Sequence, residues 1–302
     1  MKQEVNQEDS KSYFFSNIEA EIMCDLLIAC GVHGHKVSGS ITKPDTYFTS
    51  KLKNHKFLPN TVGWRPNLIN SSLEAVITYN NGHNKNPEVE KAKEINIPVY
   101  TISEFLFQQA INKQRILIVG NNSRLITAIL IHTLEFYKRE FDYYTHSINP
   151  NLDSLVRLSN APTIIIEDEN INESDIMAYK HHIAVIGQLE NSKLQGQIAK
   201  LVKETPKGGI IFYLEKDSIE SWIKQADFPD RLLVPYKIHQ ALLDGSKGGN
   251  TIITNNQDHL HLTLNDAFAL HSLGASKEIL MKIGISANMF YNSLSSFNYV
   301  NN

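Results

Sequence analysis

The residues best placed to do chemistry begin at Val119-Gly120-Asn121-Asn122-Ser123-Arg124-Leu125, where the apolar run Arg115 to Val119 ends in glycine and a helical pattern follows. A strand-to-helix turn of this kind presents backbone N–H groups and the positive end of a helix dipole, which together suit a phosphate. Holding a triphosphate through a reaction asks for more: a second glycine for close approach, a lysine ammonium, and a Ser/Thr hydroxyl on magnesium. Those places hold Ser123, Arg124 and Leu125. Arginine can meet a phosphate, but leucine offers no oxygen to a hard cation. A plain strand-helix connection without nucleotide hydrolysis is therefore expected.

Glu167-Asp168-Glu169 follow the apolar run Thr163 to Ile166, at the carboxyl edge where α/β sheets place ligands. Such a cluster could hold magnesium. With no second oxygen-rich element in the sequence, a solvated loop of like charges is the expectation. The pairs His33/His35, His181/His182 and His259/His261 lack a third ligand at an interpretable spacing, so they read as surface or core histidines. Cys24 and Cys30 form neither a CxxC nor a metal pair, and Cys24 falls among Ile22, Met23, Leu26 and Leu27. Both read as core thiols.

The elements that must position these groups alternate between β-branched runs and helical patterns, the signature of βα units around a largely parallel sheet. The fold class is α/β. Strands are expected near Tyr13 to Phe15, Lys36 to Ser38, Ala75 to Tyr79 and Pro98 to Tyr100, with helices near Glu19 to Cys30 and Pro87 to Glu94. Asn86 can cap the second of these, with Pro87 at the position where a missing N–H is harmless. Another helix starts at Ser103 with Glu104. Beyond a linker at Asn112 to Gln114, a second sheet begins at Arg115, followed by a helix from Ser123 to Lys138. Further strands are expected at Thr163 to Ile166, Ile183 to Ile186, Ile210 to Leu214, Leu232 to Pro235 and Thr251 to Thr254, and the tail from His259 reads as two or three helices.

With 302 residues the chain suggests two domains, and a composition of 42% hydrophobic and 20% charged residues is that of a globular protein. The formal charge of -3, without a basic run, argues against nucleic acid. Met1 to Ser10 has no apolar signal region and no stretch is long enough to span a membrane, so a cytoplasmic protein with no membrane partner is expected.

Three stretches resemble the Mur ligase family, in particular the branch that adds L-alanine, or a recycled peptide, to UDP-N-acetylmuramate. Gly34-His35-Lys36-Val37-Ser38-Gly39-Ser40 is similar to the family's GxxVSGSD strand end; His83 to Leu106 is similar to its NPE, IPV and acidic-Leu segment; His261, Asn265, Ala269 and Leu273-Gly274 are similar to its HNxxN, AA and LG helix. The likeness runs over nearly the whole chain and is most specific in the middle stretch. It implies a Rossmann-like, UDP-binding-type N-terminal domain over 1–112 and a P-loop-type, ATPase-like central domain over 113–302. It also implies that Ser38, Gly39 and Ser40 lie by a UDP-sugar, that Gly120, Asn121, Asn122, Ser123, Arg124, His261 and Asn265 lie by a nucleotide, and that Glu169 and Glu190 lie by a metal. The family's third domain has no counterpart here, because the chain ends after the second.

The departures bear on function. The family's uridine-diphosphate loop, GIGGxGM, aligns with Asn17-Ile18-Glu19-Ala20-Glu21-Ile22-Met23, which has no glycine and places two carboxylates where a pyrophosphate would lie. The Asp after VSGS is Ile41. The ATP loop GTHGKT aligns with Gly120 to Leu125 and keeps its first glycine, with Arg124 at the lysine place. The EADE segment is approximated by Asp168-Glu169. The NxExDH segment aligns with Gln188 to Lys193, keeping Glu190 but with Ser192 and Lys193 for its Asp-His pair. Losing one preorganised donor to a developing charge commonly costs about 3 kcal/mol, and several are lost together.

The expectation is a Mur-ligase-like protein of peptidoglycan synthesis or recycling that is catalytically inactive, a pseudoenzyme with no cofactor of its own. It would act as a binding or partner protein, its partner a Mur-pathway enzyme or a UDP-muramoyl-type ligand. The alternative is an active or altered ATP-dependent amide-bond ligase in which Arg124 replaces lysine, Glu169 or Glu190 holds magnesium, and another chain supplies the third domain. ATP and magnesium enter only under that alternative. A Rossmann dehydrogenase fits poorly, since neither sheet opens on GxGxxG.

Overall fold

Tyr13-Phe14-Phe15 are all buried and make the middle of β1 (Ser12–Ser16), the strand on which the first half of the chain is assembled. The computed structural model describes residues 10–18, 20–43, 46–79, 85–146, 152–169, 173–188, 193–215, 220, 223, 229–242, 249–264 and 267–299. The chain divides into two units, 1–111 with 154–160, and 112–153 with 161–302. The second domain is therefore not the unbroken stretch from 113 that the sequence suggests. Residues 154–160 instead cluster with the first unit because Leu155 donates its N–H to the buried Asp25 carboxyl at 2.7 Å while Val156 and Leu158 are buried.

In the first unit β1 is followed by α1 (Glu21–Val32), β2 (Lys36–Gly39), α2 (Thr46–Asn54), β3 (Ala75–Thr78), α3 (Pro87–Glu94), β4 (Val99–Thr101) and α4 (Ile102–Gln109). All four strands are parallel in the order β2-β1-β3-β4. Phe105 of α4 packs edge-on against Tyr13 at 4.9 Å and Phe15 at 5.9 Å, a preferred aromatic geometry. α1 is buried from Ile22 to Cys30, and burial pushes the Cys24 thiol up to about 12 and the Cys30 thiol higher still, which keeps both unreactive. Asn86 caps α3 as expected, accepting from the Glu88 and Val89 amides. α4 starts earlier than Ser103: Thr101 and Glu104 form a reciprocal capping box, which satisfies two otherwise orphaned amides.

The second unit contains β5 (Gln114–Val119), α5 (Ser123–Phe136) and β6 (Asp142–Tyr144); β7 (Val156–Arg157) lies in the returning segment of the first unit. Then come β8 (Thr163–Asp168), α6 (Glu173–Tyr179), β9 (Ile183–Ile186), α7 (Lys193–Glu204), β10 (Ile210–Leu214) and β11 (Leu232–Tyr236). Its six strands are parallel in the order β11-β10-β9-β5-β8-β6. β5 is thus central, between β8 and β9. A small antiparallel sheet follows, β12 (Ala241–Leu242), β13 (Asn250–Ile253) and β14 (His259–Leu262), then α8 (Ala269–Lys282) and α9 (Ala287–Leu294).

The tail corrects one expectation. His259-Leu260-His261-Leu262 is a strand, not the start of a helix: the alternation has period two, with both histidines exposed and Leu262 buried. β6 was not foreseen, since Asp142 is a poor strand former; Lys113 neutralises it from 2.7 Å. Among the described residues no helix is long and apolar enough to cross a membrane.

Candidate functional site

The β5–α5 turn lies at the carboxyl edge of the second sheet, flanked by the exits of β8 and β9. Gly120 adopts φ +106°, and a Cβ there would stand 2.9 Å from Gln188 O, so only glycine fits. The reason for the close approach is a hydrogen bond: the Asn121 N–H donates to Gln188 O at 2.9 Å. Asn122, 3% exposed, accepts from the Gln188 N–H at 2.7 Å and donates through Nδ2 to Ser272 Oγ on α8 at 3.0 Å. The Ser123 N–H turns back to Gly120 O at 2.9 Å. Two amides of the turn, Asn121 and Ser123, and the Asn122 carboxamide are here spent on the chain itself.

The carboxylates around the turn are also committed. Glu167 is fully buried; its Oε1 accepts from Ser123 Oγ at 2.8 Å, and its Oε2 from Thr145 Oγ1 at 3.0 Å and the His146 N–H at 2.8 Å. Asp168, also buried, accepts from Tyr179 Oη at 3.2 Å, and burial pushes the Tyr179 hydroxyl well up. The half-exposed Arg124 pairs with Glu169 at 2.7 Å. Leu125, at the place of a magnesium-binding hydroxyl, is 2% exposed in the core. These residues do not fit a magnesium triphosphate: the amide, the guanidinium and both oxygens of the nearest carboxylate are already partnered, and leucine supplies no ligand.

In the first unit the corresponding edge is closed by Glu88, fully buried at the start of α3. It accepts from Ser16 Oγ at 2.5 Å, Ser40 Oγ at 2.8 Å and the Arg65 N–H at 2.6 Å, so the Asn86-Pro87-Glu88 stretch ties together the ends of β1 and β2. Ser38 lies within β2 and Gly39 ends it, where a Cβ would stand 2.6 Å from Phe15 O. Ser40 is buried and its Oγ also accepts from the Asn17 N–H at 2.9 Å.

The structure therefore gathers Gly120, Asn121, Asn122, Ser123, Arg124 and Glu169 at one turn, and Ser38, Gly39 and Ser40 at another. His261 is placed elsewhere, on β14, exposed, its Nδ1 3.2 Å from Thr251 Oγ1. Its expected position on a nucleotide-side helix is corrected with the strand assignment. Asn265 and Glu190 lie outside the described residues, as does Glu19. Ala269 and Leu273-Gly274 are on α8 as expected. Sequence reasoning missed Gln188, Ser272 and Glu88 as shapers of these turns. Glu88 had a signal, its place in a capped helix start; Gln188 acts through its backbone and had none. Among the described residues no three His, Cys, Asp or Glu side chains are grouped so as to hold a metal ion. Of the histidine pairs, His181 is buried against Thr205 Oγ1 at 2.8 Å, and burial lowers it to about 4. His33 and His35 stack edge to face at 5.5 Å.

Comparison with known proteins matches residues 17–114 to the Mur ligase family, catalytic domain. The UDP-N-acetylmuramate–L-alanine ligase of Dictyoglomus turgidum is 23% identical over 228 residues, covering 72% of this chain and 48% of that protein. The chain thus spans about half the length of this curated relative. The crystal structure of UDP-N-acetylmuramate:L-alanyl-gamma-D-glutamyl-meso-diaminopimelate ligase from Neisseria meningitides aligns with a TM-score of 0.79 at 15% identity, over 97% of this chain and 100% of that chain. A murein peptide ligase from Psychrobacter arcticus aligns at 0.78 and 15% identity, over 97% and 69% of the two chains. The chain resembles Mur ligases in sequence, and its two parallel α/β units have the fold of their N-terminal and central domains.

Proposed function

We propose that this chain is a Mur-ligase-like binding or partner protein of peptidoglycan synthesis or recycling, and that it performs no ATP-dependent ligation at its β5–α5 turn. The observation that carries the reading is the pair of contacts by which the β9 exit fills that turn, the Asn121 N–H on Gln188 O and the Asn122 carboxamide between Gln188 N and Ser272 Oγ. Ligation through an acyl phosphate requires several negative charges to be neutralised together at one preorganised place. A triphosphate entering here would have to break these hydrogen bonds, leave buried polar groups unpaired at about 1–3 kcal/mol each, and still find no hydroxyl at Leu125 for its magnesium.

The test is phosphate release by the purified chain given ATP and magnesium together with UDP-N-acetylmuramate and L-alanine, the two compounds in the name of its curated relative. Release at the level of the blank is expected. Turnover that disappears in Arg124→Ala overturns the proposal in favour of an active, altered ligase in which Arg124 stands for the lysine and Glu169 or Glu190 holds magnesium.

A further inference from the structure

The tyrosine of α9 stands between two acceptors and has one hydrogen to give. Tyr291 Oη lies 2.9 Å from Nε2 of His239, in the connection between β11 and β12, and 3.2 Å from Oδ1 of Asn255, in the turn between β13 and β14. We infer that this hydroxyl is a proton-controlled latch of the second unit: it points to His239 while that ring is neutral and to Asn255 once the ring is protonated, so that proton uptake adds a hydrogen bond between the β13–β14 turn and α9. None of the groups at the β5–α5 turn takes part.

Both ends of this row of contacts are fixed by groups with a single role. His239 Nδ1 lies 2.9 Å from the Gln240 carbonyl oxygen, which can only accept, so Nδ1 carries a hydrogen in either charge state. At the other end Lys277 Nζ of α8, which can only donate, lies 3.0 Å from Asn255 Oδ1, so the carboxamide presents its oxygen, not its nitrogen, to the tyrosine. The middle follows from counting hydrogens. Neutral imidazole with its hydrogen on Nδ1 has a lone pair on Nε2, which takes the Tyr291 hydrogen and leaves Tyr291 Oη and Asn255 Oδ1 facing each other as two acceptors. Imidazolium has hydrogens on both nitrogens. Its Nε2 donates to Tyr291 Oη, which donates in turn to Asn255 Oδ1, and no acceptor is left facing another.

The surroundings hold the row in place and set when it changes over. His239 and Tyr291 are each 8% exposed, their rings meet edge to face at 5.6 Å, and the His239 N–H donates to Leu270 O of α8 at 3.0 Å. Among the described residues the charged group that faces the ring is Lys277, whose ammonium also stands 5.6 Å from the centre of the Tyr291 ring. α9 contributes Tyr291, the β13–β14 turn contributes the uncharged Asn255, and Lys237, two residues before the ring on its own connection, lies 3.8 Å from Glu215. Burial, opposed by the Gln240 carbonyl and joined by the Lys277 charge, holds the His239 ring below its ordinary 6.5. The latch is therefore turned to His239 at neutral pH and changes over on acidification.

Long-range nitrogen–proton NMR of the histidine rings in the full chain tests the latch, with the Asn255 side-chain amide followed in the same pH titration. Neutral His239 should carry its hydrogen on Nδ1 and gain a second on Nε2 as the pH is lowered, and the Asn255 amide signals should shift with the same midpoint. In Tyr291→Phe, which keeps the ring and removes the hydroxyl, His239 should still titrate while the Asn255 shift disappears. The inference is overturned by a neutral ring with its hydrogen on Nε2, by a ring that takes no second hydrogen at any pH where the chain stays folded, or by an Asn255 amide that ignores the titration in the unaltered chain. An Asn255 shift that persists in Tyr291→Phe overturns it too. Because the tautomer and the shared midpoint are read in the unaltered chain, the test stands even where the variant folds poorly.

Discussion

At the β1–α1 turn the helix starts on a carboxylate of its own, Glu21, which is held by Tyr47 and Lys51 from a neighbouring helix. At the β5–α5 turn the partners are neutral, the Gln188 backbone at the exit of the adjacent strand and the turn's own Asn122 carboxamide. Both turns begin as the same local device, a strand exit feeding a helix N-terminus whose first amides lack intrahelical partners. The difference teaches that this need can be met in two ways with opposite sensitivities. A closure built on ions around a buried carboxylate depends on every member, because removing one partner strands a charge in the interior. A closure built on amides is divided among bonds of about 1 kcal/mol each and is indifferent to salt.

The sharpest way to break the comparison is Lys51→Met. With Asp25 fully buried and Lys51 its cation, about 3 kcal/mol of stability should be lost, read as a lower urea midpoint with an unchanged slope. A loss below about 1 kcal/mol would show that the first turn is not held by its ions.

Acid should loosen the second unit. Burial lowers His181 from the ordinary 6.5 to about 4, so the unfolded chain takes up this proton first. The contribution is therefore complete above pH 6.5, falls as the pH drops toward 4, and levels off below that; its size is on the order of 3 kcal/mol. Melting temperature measured across this window should decline, and the decline should be shallower in His181→Gln.

Asn122→Ala removes two side-chain hydrogen bonds and leaves the Gln188 N–H without its acceptor, for a loss of about 2 kcal/mol. Hydrogen exchange should quicken at Gln188 and leave the β1–α1 turn unchanged. If nucleotide binding with magnesium appeared in this variant, the amide plug would be the main barrier and Leu125 a minor one.

The smallest effect is expected at Arg124→Ala. The half-exposed ion pair with Glu169 contributes no more than about 1 kcal/mol, so denaturant midpoints at low and high salt should nearly coincide with those of the unaltered chain. A large loss would mean that charge matters at the second turn after all.

The alternation of apolar runs and helical patterns was enough to establish an α/β chain in two parts, because burial and period are local properties of a segment. Asn86-Pro87 likewise announced its helix, since a cap needs only its own neighbours. That Arg124 carries no ammonium and Leu125 no hydroxyl was legible for the same reason, since side-chain type alone decides it. What filled the two turns was not legible. Gln188 acts through a backbone that any residue carries, and it meets Asn121 only because β9 pairs with β5 across a crossover. Lys51 reaches Asp25 only because α2 packs on α1. The sequence by itself determined which side chains stand at the two turns; the tertiary structure alone decided what they bond to, because a hydrogen bond between segments distant along the chain depends on where the sheet register brings them.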